Sequence, residues 1–281
     1  MKIKIPVNPC IKTPKQISTL KARIRENNKT RKNKKSKTKP QTIKYIKQLF
    51  EKQKTKESVI PLNIYQVWHD KTKLPESVRE SIDLLKKQNP EFTHYLFDEK
   101  ECREFIEKNY PNRILNAYDS IVPHAIKADL WRYCYMYKYG GIYLDTKYYC
   151  INGFKLILLT DKEYFCRDIE HSLYGIYNAI LICKPNNKIM YKSIQETVKN
   201  VERKYYGSAG HCPTGPLMMK KFFTMKQIHN FELTHEFVND NLRFIDLNNY
   251  RVLKYHENYK NEKEQKTNHW KTYWLNKTMY K

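Results

Sequence analysis

Two carboxylates and one guanidinium stand in one stretch of this chain at spacings that would let them meet. Asp129 and Arg132 are three residues apart, and Asp145 ends the short apolar run at 141–144. Carboxylates accept hydrogen bonds from hydroxyl groups, and the planar fork of an arginine matches the oxygens of a phosphate. Each residue alone is more often part of a helix cap or a surface ion pair. Together they suit a ligand that carries both hydroxyl and phosphate groups.

A helix folded back on a strand would bring the three side chains together. Pro123 suits the first turn of a helix, and Gly140 suits the residue that ends it. At 1.5 Å per residue, Arg132 lies about 12 Å before Gly140 along the helix axis. At roughly 3.3 Å per residue, Asp145 lies about 13 Å beyond Gly141 along the strand. Antiparallel packing of the two therefore places the set at the carboxyl end of the strand, where ligands bind in open α/β sheets.

The same stretch resembles a known family. It reads Ala-Asp-Leu-Trp-Arg-Tyr at 128–133 and Gly-Gly-Ile-Tyr-Leu-Asp at 140–145. This is similar to the sugar-donor core of glycosyltransferase family 32, the family of fungal outer-chain mannosyltransferases and many capsular-polysaccharide enzymes. The resemblance implies a GT-A-type glycosyltransferase domain in which Asp129, Arg132 and Asp145 are catalytic. It also implies a nucleotide-sugar site in which these three act with Val67, Trp68, Tyr143, Thr146 and Lys147.

One position departs from the family pattern. The family usually has Asp-x-Asp where this chain has Asp145-Thr146-Lys147, so the second acidic metal ligand is missing. A lysine cannot ligate a cation, although it can contact a diphosphate as a single fixed charge. Two outcomes stay open: a weakened metal dependence, or a Mn²⁺ or Mg²⁺ ion held more loosely through Asp145, the donor phosphates, water and a ligand from elsewhere in the chain. We expect the second.

Segments on either side of the core extend the resemblance. Residues 60–68 and 89–98 are similar to the opening of the family, with Tyr65 in the place of a histidine. Trp68 ends the first of these segments, where it could stack on a nucleotide base or serve as an ordinary core residue.

Later segments are similar to the family in the same order. Asn178 resembles an asparagine that faces the donor sugar, and Thr214-Gly215-Pro216 resembles a turn beside the acceptor pocket. His269 and Trp274 resemble a closing element that covers the donor phosphates. Each of these signals is weak alone, because an asparagine on a strand or a Gly-Pro turn also has ordinary structural uses.

Alternating strand and helix patterns predict the fold class. Apolar segments at 59–68 and 92–97 are separated by a helix that opens at Pro75, and Asp98 with Glu101 forms a capping pair for the next helix. Such alternation indicates an α/β domain with a Rossmann-like, mostly parallel central sheet. Further strands are predicted at 153–159 and 174–182, and a further helix at 186–204.

The positive charge of the chain concentrates near its N-terminus. The 281 residues carry a net charge of +24, and residues 1–58 hold 19 of the 53 Lys and Arg residues but 3 of the 29 Asp and Glu residues. We therefore expect a basic extension at 1–58, partly disordered and partly helical, and a glycosyltransferase domain at 59–281. Two weakly amphipathic stretches lie in the extension, one with Ile17, Leu20 and Ile24, the other with Ile43, Ile46, Leu49 and Phe50.

Residues 12–58 allow two interpretations. One is contact with an anionic surface, such as a membrane, a nucleic acid or an acidic polysaccharide. The other is a soluble arm whose second amphipathic helix packs on the domain, and this is the expectation, because a basic run alone carries little specificity.

Hydropathy and cysteine usage bear on the setting of the protein. No stretch approaches the roughly 20 apolar residues of a membrane span, and the N-terminus lacks an apolar core of signal-peptide length. The seven cysteines are odd in number, which argues against a disulfide framework. The expectation is a cytoplasmic protein without a membrane anchor.

The expected activity is transfer of a sugar from a UDP- or GDP-sugar to an acceptor hydroxyl of a glycan or a protein. The resemblance implies retention of the anomeric configuration. Asp129 and Asp145 are assigned to hydroxyl and phosphate contacts, so a front-face route is favoured over double displacement. Two alternatives stay open: a donor-binding pseudoenzyme in which Lys147 marks lost metal chemistry, and a basic nucleic-acid-binding protein.

Overall fold

The computed structural model describes residues 37–53, 57–168, 175–239, 242–256 and 270–281. Its helices are α1 (Lys39–Gln53), α2 (Glu76–Gln88), α3 (Glu99–Asn109), α4 (Asn112–Ser120), α5 (His124–Tyr139), α6 (Lys188–Glu202), α7 (Pro216–Met219), α8 (Met225–His229) and α9 (Trp270–Leu275). Its strands are β1 (Asn63–Val67), β2 (Thr93–Phe97), β3 (Gly141–Leu144), β4 (Tyr148–Cys150), β5 (Tyr164–Asp168), β6 (Gly175–Cys183), β7 (Leu233–Asn239), β8 (Leu242–Leu247) and β9 (Tyr250–Tyr255). Within these ranges no helix has both the length and the apolar character needed to cross a membrane. The predicted amphipathic stretch around Leu20 lies outside the described residues.

The described strands form one mixed sheet in the order β2-β1-β3-β6-β5-β7-β8-β9-β4. Strand β1 pairs in parallel with β2 and β3, and β5 pairs in parallel with β7. The other five pairings are antiparallel. The predicted α/β class is confirmed, whereas the expectation of a mostly parallel sheet is wrong.

The length of a connection bears on the direction in which two strands pair. Parallel neighbours need a crossover of a dozen or more residues, and helices provide such crossovers between β1, β2 and β3. Asn248 and Asn249 instead join β8 directly to β9, with φ of 51° and 68°. These left-handed values are those of a type I′ hairpin turn, which forces its two strands to run antiparallel.

Two glycines fix the turn between α5 and β3. Gly140 has a φ of 62°, and a Cβ there would stand 2.6 Å from the Pro185 nitrogen. Gly141 has a φ of 100°, and a Cβ there would stand 2.9 Å from the Asn63 carbonyl oxygen. Glycine allows both the left-handed backbone and the close approach. The predicted layout, a helix that turns back directly into the strand, is confirmed.

Helix α1 belongs to the core of the domain. Side chains along β3 alternate between two buried clusters: Tyr143 packs with residues of α5, whereas Leu144 packs in a cluster that includes Ile46 of α1. Ile46 is 2% exposed, and the ring of Tyr45 stacks on that of Tyr250 at 4.0 Å. The expected packing of the second amphipathic helix on the domain is therefore confirmed. The predicted boundary between an extension at 1–58 and a domain at 59–281 stays a prediction. Helix α1, which precedes that boundary in the chain, contributes Ile46 to the core of the domain.

The predicted strand at 153–159 is wrong. Leu156–Leu159 forms a 3-10 helix, and the Leu156 nitrogen donates to Asn89 Oδ1 at 2.7 Å. Leu156, Leu158 and Leu159 are all buried, and an apolar run this short does not distinguish a strand from a helical turn. A second 3-10 helix spans Lys220–Phe222.

Candidate functional site

The carboxyl ends of β1 and β3 share one edge of the sheet. Tyr65 pairs with Tyr143 in parallel register, so Val67 and Asp145, each two residues further along the chain, follow at the same edge. Trp68 follows at this edge and is half-buried, and its backbone nitrogen donates to the Phe97 carbonyl oxygen at 3.0 Å. Three of the sequence-predicted site residues therefore lie along one edge.

Helix α5 directs Asp129 and Arg132 toward β6. Asp129 Oδ1 accepts a hydrogen bond from Asn178 Nδ2 at 2.9 Å, and Arg132 Nη1 donates to the Asn178 carbonyl oxygen at 2.7 Å. Arg132 Nη2 lies 3.3 Å from Asp129 Oδ1. Both side chains are buried, so Asn178 joins α5 to the sheet through its amide group and its backbone.

The loop before α7 closes the other side of Asp129. Thr214 Oγ1 donates to Asp129 Oδ2 at 2.6 Å. The Tyr133 hydroxyl donates to the Thr214 carbonyl oxygen at 2.7 Å and accepts from Asn178 Nδ2 at 2.9 Å. Sequence reasoning missed Tyr133, although its spacing of four residues from Asp129 places both on one helix face.

Asp145 receives hydrogen-bond donors on both carboxylate oxygens. The Tyr143 hydroxyl donates to Oδ1 at 2.8 Å, and Arg132 Nη1 lies 3.4 Å from the same oxygen. The Arg132 guanidinium lies over the Tyr143 ring, 4.4 Å from its centroid. Lys147 Nζ lies 2.8 Å from Oδ2. Arg132 thus bridges Asp129 and Asp145, and the three residues converge.

Burial and neighbouring charges set the ionisation of this cluster. Burial raises the pKa of Asp129, and Arg132 and Thr214 oppose this effect. Burial also acts to raise the pKa of Asp145, but the charges of Lys147 and Arg132 outweigh it and hold the pKa below its usual value. Asp145 is therefore a carboxylate at neutral pH. A permanently cationic Arg132 between two carboxyl groups can bind phosphate oxygens while the carboxylates accept hydrogen bonds from sugar hydroxyls.

Lys147 folds back on Asp145 through a tight turn. The Tyr148 nitrogen donates to the Asp145 carbonyl oxygen at 3.2 Å, which reverses the chain between β3 and β4. Burial acts to lower the pKa of Lys147, but the Asp145 carboxylate raises it overall. The ammonium group is therefore charged where it meets Asp145.

These residues do not fit a resident divalent cation at Asp145. An ammonium group stands beside Oδ2, and Oδ1 already accepts from Tyr143. Mn²⁺ and Mg²⁺ favour several oxygen ligands, and in the described part of the chain no group of three or more His, Cys, Asp and Glu side chains gathers as a metal-binding set. The surroundings of Asp145 therefore do not support the expected, loosely held ion, because Lys147 competes for the same carboxylate.

The remaining expected residues differ in how closely they approach the cluster. Thr146 is buried within the turn after Asp145, and Gly215 follows Thr214 as the residue that precedes α7. Trp274 lies on α9, where its ring nitrogen donates to the Tyr206 carbonyl oxygen at 2.8 Å, and its expected role over the donor phosphates stays a prediction. His269 lies outside the described residues.

Two residues from the last strands reach the same region. Tyr148 pairs with Tyr255 across β4 and β9. The Tyr255 ring centroid lies 5.5 Å from Lys147 Nζ and 5.5 Å from the Arg243 guanidinium carbon. Sequence reasoning missed both Tyr255 and Arg243, since only the pairing of β4 with β9 brings them beside Lys147.

Two histidines and a carboxylate extend the polar edge beyond β6. Burial lowers the pKa of His211, whereas the charges of Asp168 and Asp129 oppose this effect. Asp168 ends β5, where its Oδ1 lies 3.3 Å from His235 Nδ1, and both side chains are buried. The sequence carries no local signal for this pair.

The central part of the chain matches a known family. Residues 75–164 fit the family described as glycosyltransferase sugar-binding region containing DXD motif. The matched range includes Asp129, Arg132 and Asp145. Asn178 and Thr214 lie beyond it.

Curated relatives cover the chain in part. The chain is 37% identical over 97 residues to inositol phosphoceramide mannosyltransferase 3 of Schizosaccharomyces pombe. This alignment covers 33% of this chain and 26% of that protein. It is 26% identical over 132 residues to an uncharacterized glycosyltransferase of Acanthamoeba polyphaga mimivirus. This second alignment covers 47% of this chain and 53% of that protein. The chain thus spans about a quarter and about half of the lengths of these two relatives.

One solved structure aligns with part of the chain. The PaToxG glycosyltransferase aligns with a TM-score of 0.47 and 15% identity, over 68% of this chain and 82% of that chain. Residues 75–164 are thus similar to the glycosyltransferase family whose sugar-binding region contains the DXD motif.

Proposed function

We propose that this protein transfers a sugar from a nucleoside-diphosphate sugar to an acceptor hydroxyl of a glycan or a protein. The observation that carries the proposal is the convergence of Asp129, Arg132 and Asp145 in one cluster at the carboxyl end of β3. Asn178 and Thr214, from two later segments, hold the same cluster. The family match and the relative named as a mannosyltransferase support a glycosyl donor in a GT-A-type site.

The roles of the donor-binding residues follow from their chemistry. Arg132 offers fixed hydrogen-bond donors to the diphosphate, and Asp129 accepts hydrogen bonds from sugar hydroxyls. Trp68 stands at the same edge with its ring centroid 5.1 Å from that of His69, and its indole suits stacking on the nucleotide base. Val67, which precedes Trp68 in the chain, is assigned to the side of the donor site that holds the nucleotide base.

The contacts of both carboxylates favour a front-face route with retention. Double displacement requires a carboxylate that attacks the anomeric carbon. Asp129 already accepts from Asn178 and Thr214, and Asp145 from Tyr143 and Lys147. In the front-face route the bond from the anomeric carbon to the diphosphate breaks while the acceptor oxygen attacks from the same side. The departing phosphate oxygen takes the acceptor proton, and Arg132 stabilises the negative charge that develops.

Product stereochemistry and trapping test this route. Nuclear magnetic resonance of the product should show the same anomeric configuration as the donor. An inverted product would contradict retention, and a glycosyl-enzyme trapped on a carboxylate by a slow fluorinated donor would contradict the front-face route.

A donor panel tests the proposed activity itself. The full chain is mixed with UDP- and GDP-sugars, mannosyl donors first in view of the relative's name, and scored for thermal stabilisation and slow donor hydrolysis. At least one donor should give both signals. The Arg132→Gln variant should show neither thermal stabilisation nor donor hydrolysis. The control variant Arg113→Gln, which removes an exposed guanidinium paired with Glu202, should keep both.

The two alternative functions predict different results. Stabilisation by a donor without hydrolysis or transfer across the panel would identify a donor-binding pseudoenzyme. Tight, strongly salt-dependent binding of DNA or RNA by the full chain, lost on deletion of residues 1–58, would identify a nucleic-acid-binding protein. Vesicles with anionic and neutral lipids separately test whether residues 12–58 contact an anionic surface.

A further inference from the structure

We propose that Lys147 and Arg243, both held against the ring of Tyr255, bind the donor diphosphate where a divalent cation would otherwise neutralise it. The inference rests on the proposed function, because it assigns two more residues to the same donor site. The expectation was a divalent metal ion bound at Asp145. In the proposed site, the positive charges that neutralise the diphosphate come from side chains instead.

Strand pairing brings the two cations together from distant parts of the chain. Tyr148 pairs with Tyr255 in antiparallel register, and Lys147 directly precedes Tyr148. Phe244 pairs with Lys254 on the other side of β9, so Arg243 and Tyr255 are cross-strand neighbours. The ends of β4, β8 and β9 therefore meet beside the turn that follows β3.

The ring of Tyr255 positions both cations. Lys147 Nζ and the Arg243 guanidinium carbon each lie 5.5 Å from its centroid, within the range of cation–π attraction. Arg243 also lies 4.9 Å from the Phe237 ring centroid. Tyr255 is 3% exposed, whereas the Lys147 side chain keeps 21% of its surface. A buried ring thus holds two cations that are themselves partly exposed.

The charges agree with this role. In an Asp-x-Asp site, the second carboxylate and a divalent ion together contribute one net positive charge. Lys147 contributes the same net charge without either of them. A metal ion also bridges several phosphate oxygens, which a single ammonium group cannot do. Arg243 supplies the missing contacts, because a guanidinium presents several hydrogen-bond donors in a fixed plane to phosphate oxygens.

Calorimetric titration of the full chain with UDP and with GDP tests the inference. Excess chelator should leave binding of the preferred nucleotide intact, and added Mn²⁺ should change the Kd by less than about twofold. Lys147→Gln and Arg243→Gln should each weaken binding by about tenfold, as expected when one charge-assisted contact to phosphate is lost. Lys147→Arg and Arg243→Lys, which keep the charge, should recover part of the affinity.

Matched controls separate this role from a general effect of charge. Lys162 lies 5.1 Å from the Tyr164 ring centroid and Arg251 lies 4.0 Å from that of Phe244, so Lys162→Gln and Arg251→Gln remove similar cations elsewhere. Both should keep the wild-type Kd, and thermal unfolding should show that every variant is folded.

Three results would overturn the inference. Binding that disappears in chelator and returns with Mn²⁺ would replace it with metal dependence while the proposed function stands. Equal losses in the control variants would reduce it to non-specific attraction. Binding of neither nucleotide under any condition would overturn the proposed function together with it.

Discussion

Thr214 Oγ1 donates a 2.6 Å hydrogen bond to Asp129 Oδ2 across 85 residues of sequence. The bond ties the loop before α7 to α5 and completes the set of donors around a buried carboxyl group. Burial raises the pKa of Asp129, and each hydrogen bond to its charged form opposes that shift. Thr214 therefore helps to keep the central acidic residue of the site ionised.

Thr214→Val tests this relationship with a side chain of nearly the same shape. The loss of one hydrogen bond to a buried carboxylate should lower the free energy of unfolding by about 1–3 kcal/mol and shift the pH profile of donor hydrolysis upward. Thr93→Val, at an exposed position on β2, is the control. Unchanged stability and an unchanged pH profile would show that the bond has no energetic role.

Asp129→Asn and Arg132→Ala should remove most of the transfer activity. We expect kcat/KM to fall by about 100-fold or more, the order found when one charge-stabilising group is removed. Arg132→Ala also leaves Asp129 as a buried charge without its cation, which should lower stability by about 3–5 kcal/mol. Steady-state kinetics and thermal melts measure the two effects. Near wild-type turnover in either variant would refute the site assignment.

Ile46→Ala should destabilise the whole domain although it lies in the basic extension. Ile46 is 2% exposed in the core, and a large-to-small change at such a position costs about 2–5 kcal/mol. Lys47→Ala, at an exposed position on the same helix, should have little effect. A chain that begins at Val59 should likewise unfold more easily than the full chain. If the wild type, Ile46→Ala and the chain that begins at Val59 had equal urea midpoints of unfolding, α1 would be dispensable for stability.

Asp246→Asn should stabilise the protein at neutral and alkaline pH. Burial, together with the nearby Glu236, raises the pKa of Asp246 from 3.8 to about 7. The folded state thus keeps a proton that the unfolded chain has released, so stability falls as pH rises from about 4 to 7. The variant should gain up to about 4 kcal/mol above pH 7 and nothing below pH 4. If the difference in unfolding free energy between Asp246→Asn and the wild type did not depend on pH, the raised pKa of Asp246 would be contradicted.

Lys147→Asp should create a metal requirement. The substitution removes the ammonium beside Asp145 Oδ2 and restores the paired carboxylates that ligate a divalent ion. UDP or GDP should then bind well with Mn²⁺ and about tenfold more weakly in chelator. Lys162→Asp should show no such dependence. A Lys147→Asp variant that binds equally well with and without Mn²⁺ would falsify the account of this position.

The local unit of the site could be predicted from the sequence. Helix periodicity, Pro123 and the Gly140–Gly141 pair act over a few residues, so they predict a helix that turns back into a strand. The spacing of Asp129 and Arg132 then follows from the helix repeat, and the position of Asp145 from the end of the strand. The capping pair of Asp98 and Glu101 is formed for the same local reason.

The long-range part of the site was decided by tertiary structure. Asn178 and Thr214 were found only by resemblance, and Tyr255 and Arg243 were not found at all. The strand directions of the sheet were predicted incorrectly because consecutive strands pair antiparallel in β5–β6, β7–β8 and β8–β9, a pattern that the early strand-helix alternation does not indicate. Local sequence signals fix backbone conformation within a few residues, whereas the pairing of β4 with β9 depends on burying both faces of a curled sheet. That burial places Lys147 against Tyr255 and beside Arg243.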